Sequence, residues 1–133
     1  MLFLSLQDEP APYVVPACFG REEGMLYVHS ARTGTKIDLL RAHPAVGFPA
    51  STEMTVLPGG SACDGSSRAR SVAGTATARI VEDDAERVHG LAAVMRHYAA
   101  PGSVADASYR AGPLSRTRVI ALRIDTLRAR RTG

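Results

Sequence analysis

The stretch from Leu26 to Pro44, LYVHSARTGTKIDLLRAHP, combines a strand, a bend and a helix in quick succession. Its apolar start predicts a β-strand, and the Thr-Gly-Thr bend that follows breaks it. A short helix is predicted over Lys36–Ala42, with Thr35 as N-cap and Asp38 completing a capping box. Because Pro44 cannot continue a helix, the segment ends there.

Lys36 is the only lysine of the chain, and every other basic side chain is an arginine. A helix N-terminus offers free N–H groups and the positive end of the helix dipole, which suit a phosphate. The hydroxyls of Ser30, Thr33 and Thr35 and the charge of Arg32 stand close by in sequence. The spacing of a P-loop is absent. The bend is therefore a candidate phosphate site, although spacing alone favours the alternative of an ordinary strand-to-helix turn with a solvated lysine.

Strand patterns flank this stretch on both sides. In chain order the predicted strands are Leu2–Leu6, Pro12–Phe19, Met25–Ala31, Ala45–Ala50, Glu53–Pro58, Ser71–Val81 and Thr117–Asp125. Pro16 lacks a backbone N–H, which predicts a bulge or an open edge at its position. Gly20–Gly24 is predicted to be a hairpin loop, and Gly59–Arg70 a long polar loop.

A second helix is predicted after Asp83, which can form a capping box with Glu86. Its apolar positions at helical spacing are Val88, Leu91, Ala92, Met95 and Tyr98. The following segment, Ser103–Arg116, reads as irregular. Six or seven strands in short hairpin steps with two helices predict a mainly β, α+β fold, an antiparallel β-barrel with the helices packed outside.

The length of 133 residues predicts one domain with a single core. No apolar run is long enough to span a membrane. The opening MLFLSL is too short for a signal peptide, so we expect a cytoplasmic protein. Cys18 and Cys63 lie far apart and are expected to be reduced. The four histidines show no metal-ligand spacing, so no metal site is expected.

The net charge of +3 is concentrated at the C-terminal end, where Arg128, Arg130 and Arg131 follow one another closely. We interpret this end as a solvated, frayed terminus rather than a nucleic-acid contact. The aromatic content is only 5% without tryptophan, so stacking surfaces for bases are scarce. A nucleic-acid partner is therefore not expected.

The segment Arg68–Ser71 and the single residue His29 are further candidates for ligand contacts. Arg68 and Arg70 would face one side of a strand, and the small residues from Ser71 onward allow a planar ligand to approach the backbone; a polar loop feeding a strand is the alternative. His29 could donate a proton beside a ligand, although a histidine at a strand end is often structural. His97, at a helix C-terminus, is interpreted as structural.

The segments PYVVPACFGREEGMLYVHSARTGTKIDLLRAHPAVGF and ACDGSSRARSVAGTATARIVEDDAERVHGLAAVMRHY resemble the flavin-binding split-barrel proteins. The resemblance is to the pyridoxamine 5′-phosphate oxidase-like superfamily, in the branch similar to nitroimidazole-resistance proteins. It extends from about Leu4 to Asp125. It implies a six-stranded antiparallel split barrel that forms a homodimer and binds FMN between the subunits.

The resemblance also implies which residues form the site. Tyr13–Pro16 match the strand that faces the flavin ring, His29 and Ser30 lie beside it, and Thr35 and Lys36 match the phosphate position. The complete set of implied cofactor-binding residues is Tyr13, Val14, Val15, Pro16, His29, Ser30, Thr35, Lys36, Arg70 and Ser71. His29 corresponds to the active-site histidine and is the expected catalytic residue, nearest to the substrate.

The sequence departs from the family pattern in two places. Family members usually begin with a helix and a full strand before the PYVVP strand, so residues 1–133 are expected to form one split-barrel domain without that helix. The loop CDGSSRARSV also lacks the aromatic residues that usually stand at the positions of Gly65 and Ala69.

The resemblance implies an FMN-dependent oxidoreductase with a small-molecule substrate, and nitroaromatic reduction is one candidate reaction. The alternative is a split barrel that is non-catalytic or that binds a deazaflavin or haem.

Overall fold

The computed structural model describes residues 1–61, 63–99 and 115–132. The predicted irregular segment therefore lies, up to residue 114, outside the described residues. The elements are β1 (Leu2–Leu6), β2 (Tyr13–Ala17), β3 (Phe19–Glu22), β4 (Met25–Ala31), α1 (Thr35–Ala42), β5 (Ala45–Ser51), β6 (Thr55–Leu57), β7 (Ser66–Ile80), α2 (Asp84–Tyr98) and β8 (Thr117–Thr132).

All strand pairs are antiparallel, in the order β2-β1-β5-β7-β8-β4-β3, with β6 paired to the start of β7. The predicted mainly β fold with two helices is thus confirmed. Eight strands occur in the described residues, instead of six or seven, because the run Pro12–Phe19 breaks at Cys18 into β2 and β3. The edge predicted at Pro16 is confirmed, since among the described strands β2 pairs on one side only, with β1.

The two longest strands, β7 and β8, pair over most of their length and differ most from the sequence prediction. β7 begins at Ser66, inside the segment predicted to be a loop. The arginine-rich end was predicted to be frayed, and this is wrong, because Arg128–Thr132 pairs with Ala69–Ala73 of β7. The Thr132 hydroxyl accepts a hydrogen bond from the Ala69 N–H at 3.1 Å and so fixes the end of β8.

The barrel core follows the alternation of the strands. Its fully buried side chains project from β1, β4 and β8 and from α1, and the largest are Leu2, Leu4, Leu6, Val28, Ile37, Ile120 and Leu122. Helix α1 contributes Ile37 and Leu40 to this cluster. Burying a side chain of this size stabilises the fold by about 2 kcal/mol.

The opposite face of β4 and β8 packs against α2. Gly90, Ala93 and Val94 are the buried positions of this helix. The predicted apolar stripe is therefore wrong at its C-terminal end, since Met95 is 48% and Tyr98 47% exposed, whereas Leu91 packs against this core and Val88 and Ala92 are half-buried. The reason is that α2 approaches β4 and β8 so closely that only a small residue fits at Gly90, where a Cβ atom would meet Tyr27 and Val119.

Of the two predicted helix N-caps, the one of α2 is confirmed and the one of α1 is wrong. The predicted N-cap of α2 is confirmed, because the Asp83 carboxylate accepts a hydrogen bond from the Glu86 N–H at 2.8 Å. The reciprocal half of a capping box does not form, since the Glu86 carboxylate bonds to Arg79 and Tyr27 instead. The predicted cap of α1 is wrong. Gly34 occupies the N-cap position with φ of 120°, and Thr35 is the first helical residue. No side chain in the described part of the chain caps this helix. Because a threonine rarely adopts this positive φ, the glycine takes the cap position.

Glu86 connects α2 to the sheet. Its carboxylate accepts a hydrogen bond from Arg79 Nη1 at 2.9 Å and another from the Tyr27 hydroxyl at 3.2 Å. The hydrogen bond from Arg79 is the main cause that lowers the pKa of Glu86. The charged carboxylate therefore stabilises the fold above its unfolded pKa, and this contribution is lost as the pH falls through the lowered value.

We expect Glu86→Gln to cost about 1 kcal/mol at neutral pH, because the pair is partly exposed to solvent. The difference from the wild type should shrink as the pH falls, since the wild-type carboxylate then becomes neutral as well. Urea denaturation at neutral and acid pH measures this. Glu82→Gln is the matched control, because Glu82 is 79% exposed and lies 3.7 Å from Arg118. Equal losses in both variants would contradict the assigned role of Glu86.

Candidate functional site

A cleft of about 360 Å³ lies where β2 and β4 end and α1 begins. We call it the Lys36 cleft, and its lining residues include Met1, Pro16, Cys18, His29, Ser30 and Lys36. The bend between β4 and α1 creates it, because the positive φ of Gly34 turns the chain and starts the helix beside the strand end.

Ser30 supplies a polar group at the inner wall of this cleft. It is only 9% exposed and is the one buried polar residue in the described part of the chain. It is buried because it continues the inward-facing series of Leu26 and Val28 along β4. Its hydroxyl forms no hydrogen bond with any described residue, so it is available to a ligand.

Lys36 supplies the charge. It stands in the first turn of α1, is partly buried, and its pKa is lowered by that burial. Within the described ranges, no carboxylate forms an ion pair with it. A partly buried ammonium without a counter-ion is a costly arrangement that an anionic ligand would relieve. The free N–H groups of the first helical turn add to the same positive potential.

A second cleft of about 260 Å³ adjoins the first, because Met1 lines both. We call it the Arg70 cleft, and its lining residues include Phe19, Ser51, Thr52, Arg70, Ser71 and His97. It lies where the C-terminal end of β5 meets β7, so that Ser51 stands opposite Ser71.

The predicted site residues are thus distributed over two clefts. Pro16, His29, Ser30 and Lys36 lie together in the first, and Arg70 and Ser71 lie in the second. Four other predicted cofactor-binding residues are not among the described residues that line either cleft. They are Tyr13, Val14, Val15 and Thr35.

Sequence reasoning missed the aromatic wall of the Arg70 cleft. The rings of Phe19 and His97 lie 4.3 Å apart between centroids, and Tyr98 meets Phe19 edge-on at 6.4 Å. The Tyr98 hydroxyl also accepts a hydrogen bond from the Phe19 N–H at 3.3 Å. His97 was interpreted as a structural residue, whereas it lines a cleft. No local pattern could reveal this, because the fold alone joins residues so far apart in sequence.

The two clefts together can hold an elongated ligand. An anionic end would lie at Ser30 and Lys36, and a planar end would fit against the apolar and aromatic side chains near Phe19. His29 is exposed at the first cleft, where its imidazole can donate or accept a hydrogen bond.

Neither described helix is of a length and apolar character that would let it cross a lipid bilayer.

Solved structures show the same fold. A candidate 5-nitroimidazole antibiotic resistance protein from Bacteroides thetaiotaomicron superposes with a TM-score of 0.84 at 28% identity, covering 99% of this chain and 76% of that one. An FAD and haem binding protein from Mycobacterium smegmatis gives 0.82 at 23% identity. The match covers 99% of this chain and 65% of the Mycobacterium smegmatis protein, so this chain spans less than two thirds of that protein's length.

An FAD-binding protein from Mesorhizobium loti gives a TM-score of 0.68 at 20% identity, covering 99% of this chain and 85% of that one. These last two likenesses, at their low identity, concern the fold alone. No curated protein matches the sequence.

The sequence pattern of a family described as pyridoxamine 5′-phosphate oxidase matches residues 1–131. The predicted resemblance is therefore confirmed, and the antiparallel strands with two helices agree with the split-barrel fold of these relatives. The chain belongs to the pyridoxamine 5′-phosphate oxidase family.

Proposed function

We propose that this protein is an FMN-binding flavoprotein that acts as an oxidoreductase on a small-molecule substrate. The observation that carries the proposal is that the hydroxyl of Ser30 and the partly buried ammonium of Lys36 line one cleft, and that neither has a partner among the described residues. These groups fit a phosphate, because an ammonium and a hydroxyl both donate hydrogen bonds to its oxygens.

The remaining predicted residues fit the rest of the cofactor. The Arg70 cleft continues from the phosphate end, so that the ring system would lie near Ser71, with Pro16 on the side of β2. Thr35 contributes through its backbone N–H at the start of α1, which has no partner within the helix. Tyr13, Val14 and Val15 act through the β2 backbone.

FMN, when bound, supplies hydride or electron transfer to the site. The chain then has three tasks. Lys36 neutralises the charge of the phosphate, the apolar walls exclude water from the ring, and His29 orients the substrate by a hydrogen bond at the mouth of the cleft. Nitroaromatic reduction is the proposed reaction, supported by the 28% identity to the Bacteroides protein.

A titration of the purified protein with FMN, FAD, a deazaflavin and haemin tests this proposal. We expect FMN to bind at about one equivalent per chain and to raise the melting temperature more than the other three. Retention of no FMN, with no thermal shift at saturating concentration, would overturn the proposal. Preferential binding of haemin would favour the alternative function, for which His29 and Cys18 are suitable ligand types in the Lys36 cleft.

We further propose that two copies of the chain assemble with the cofactor between them. An exposed apolar patch supports this, formed by Met1 (59% exposed), Phe3 (46%), Val14 (56%) and Pro16. Phe3 stands opposite Pro16 and Ser5 opposite Val14, so these side chains share the outer face of β1 and β2. Met1 and Pro16 also line the Lys36 cleft, so the patch reaches the cofactor site.

Phe3→Asp should convert the dimer to a monomer and weaken FMN binding at least about tenfold, because a carboxylate would be desolvated in the interface. Light scattering after size exclusion measures the mass, and fluorescence titration measures the FMN affinity. Met95→Glu is the control, since Met95 is equally exposed but stands on α2. A Phe3→Asp protein that stays dimeric would contradict this assignment of the interface.

A further inference from the structure

The C-terminal half of β8 is an open edge of the sheet. Strand β4 pairs with β8 only as far as Arg123, and the Ile124 N–H then donates to the Gly24 carbonyl at 3.0 Å. From Asp125 to Thr132, β8 therefore has a described strand neighbour on the β7 side alone. An edge of this kind presents unpaired N–H and C=O groups, which can pair with an added strand.

This open edge carries positive charges that are not compensated within the described ranges. Arg128, Arg130 and Arg131 are exposed, and none of them forms an ion pair with a described residue. The carboxylate of this half-strand belongs to Asp125, which accepts a hydrogen bond from the Thr77 hydroxyl of β7 at 2.7 Å. The edge therefore attracts a partner that carries negative charge.

The side chains along the open edge alternate in character. Arg128 and Arg130 project from one face and are spaced about 7 Å apart along the strand, while Leu127 and Ala129 project from the other face. Leu127 is 54% exposed, so the second face offers an apolar contact. A partner strand that alternates between acidic and apolar residues would match both faces at the same spacing.

Two other kinds of partner match the open edge less well. Two β8 edges that paired with each other would bring arginines opposite arginines, and like charges in opposite positions destabilise a sheet. A nucleic acid would use the charges alone and leave the open backbone and Leu127 without a role. Residues 125–132 also include no aromatic side chain that could stack on a base.

We propose that the edge of β8 from Asp125 to Thr132 binds an extended acidic segment of another protein, which adds to the sheet as a further strand. Charge-assisted hydrogen bonds would hold the carboxylates of this segment at Arg128 and Arg130. This inference goes beyond the proposed function and does not depend on FMN. The open side of β8 faces away from β7, whereas the Arg70 cleft lies where β5 meets β7. Strands β5 and β7 also separate this edge from the proposed dimer face on β1 and β2.

Isothermal titration of the full chain with synthetic peptides of about eight residues tests the proposal. The probe peptide alternates aspartate with valine, and its neutral counterpart alternates asparagine with valine. A third peptide keeps the side chains of the probe but carries a methyl group on every backbone nitrogen, which removes the N–H groups that strand pairing requires. We expect the probe to bind at least about tenfold more tightly than either of the other two peptides.

A pair of double variants tests whether the arginines of the edge hold the peptide. Arg128→Gln combined with Arg130→Gln should lower the affinity for the probe at least about tenfold. Arg21→Gln combined with Arg41→Gln is the matched control, because it removes two exposed arginines on β3 and α1 that form no ion pair with a described residue. We expect this control to keep at least half of the wild-type affinity.

Three results would overturn the proposal. Equal affinities for the aspartate and asparagine peptides, or equal losses in the two double variants, would show that the charges of this edge select nothing. An undiminished affinity for the methylated peptide would show that no strand is added. Tighter binding of a short DNA duplex than of the probe peptide at physiological salt would identify a nucleic acid as the partner instead.

Discussion

Lys36→Glu should weaken FMN binding at least about a hundredfold. The variant loses a charge-assisted hydrogen bond, which is worth about 1.5–3 kcal/mol, and places a negative charge next to the phosphate. Ser30 would remain, but a hydroxyl alone does not offset the repulsion. Quenching of flavin fluorescence on titration measures the affinity, and the circular dichroism spectrum should stay unchanged because Lys36 makes no ion pair with any described residue.

A matched pair of neutral variants separates a local contact from general electrostatics. Lys36→Gln and Arg41→Gln each remove one positive charge from α1, and Arg41 lies in its last turn, exposed to solvent. We expect Lys36→Gln to lose about tenfold or more in FMN affinity and Arg41→Gln less than about twofold. An unchanged affinity in Lys36→Glu would overturn the phosphate assignment.

The pH dependence of FMN binding follows from Lys36. Burial lowers the pKa of Lys36, which means that the ammonium loses its proton at a lower pH than an exposed lysine does. FMN affinity should therefore fall as the pH rises through that lowered pKa, and Lys36→Gln should lack this alkaline decline.

The strands could be predicted because their signal is local. Alternation in Leu2–Leu6 directly reports which side chains face the core, and the continuous apolar run Val119–Leu122 marks a strand that is buried on both faces. The arginine-rich half of β8 carries no such signal, since its side chains are mostly exposed and only pairing with β7 makes it a strand. The prediction for the apolar stripe of α2 was wrong at its C-terminal end for another reason. The contact face of this helix includes the small residues Gly90 and Ala93.

The candidate site could be predicted where its residues are contiguous in sequence. The bend between His29 and Lys36 carries its own strand end, helix start and charge, so the sequence alone suggested an anion there, and the structure brings these residues to one cleft. The Arg70 cleft joins β3, β5, β7 and α2, and its aromatic wall depends on how α2 lies on the sheet. Such long-range contacts cannot be predicted from the spacing of residues along the sequence.

The packing of α2 depends most strongly on Gly20. A Cβ atom at this position would lie 2.5 Å from the Ala93 carbonyl oxygen and would also meet the backbone of Val94. The obstacle is helix backbone rather than a flexible side chain, so β3 and α2 would have to separate. Their separation would also pull Phe19 away from His97 and open the Arg70 cleft.

Gly20→Ala should therefore reduce the free energy of unfolding by about 3 kcal/mol or more, at the upper end of overpacking effects. Gly24→Ala is the matched control, because a Cβ there meets nothing within 4 Å and the cost is limited to the strain of its φ of 70°, about 1 kcal/mol. Urea denaturation measures both losses. Similar losses in the two variants would show that α2 tolerates a displacement from β3, and the close approach at Gly20 would then not be what positions the helix.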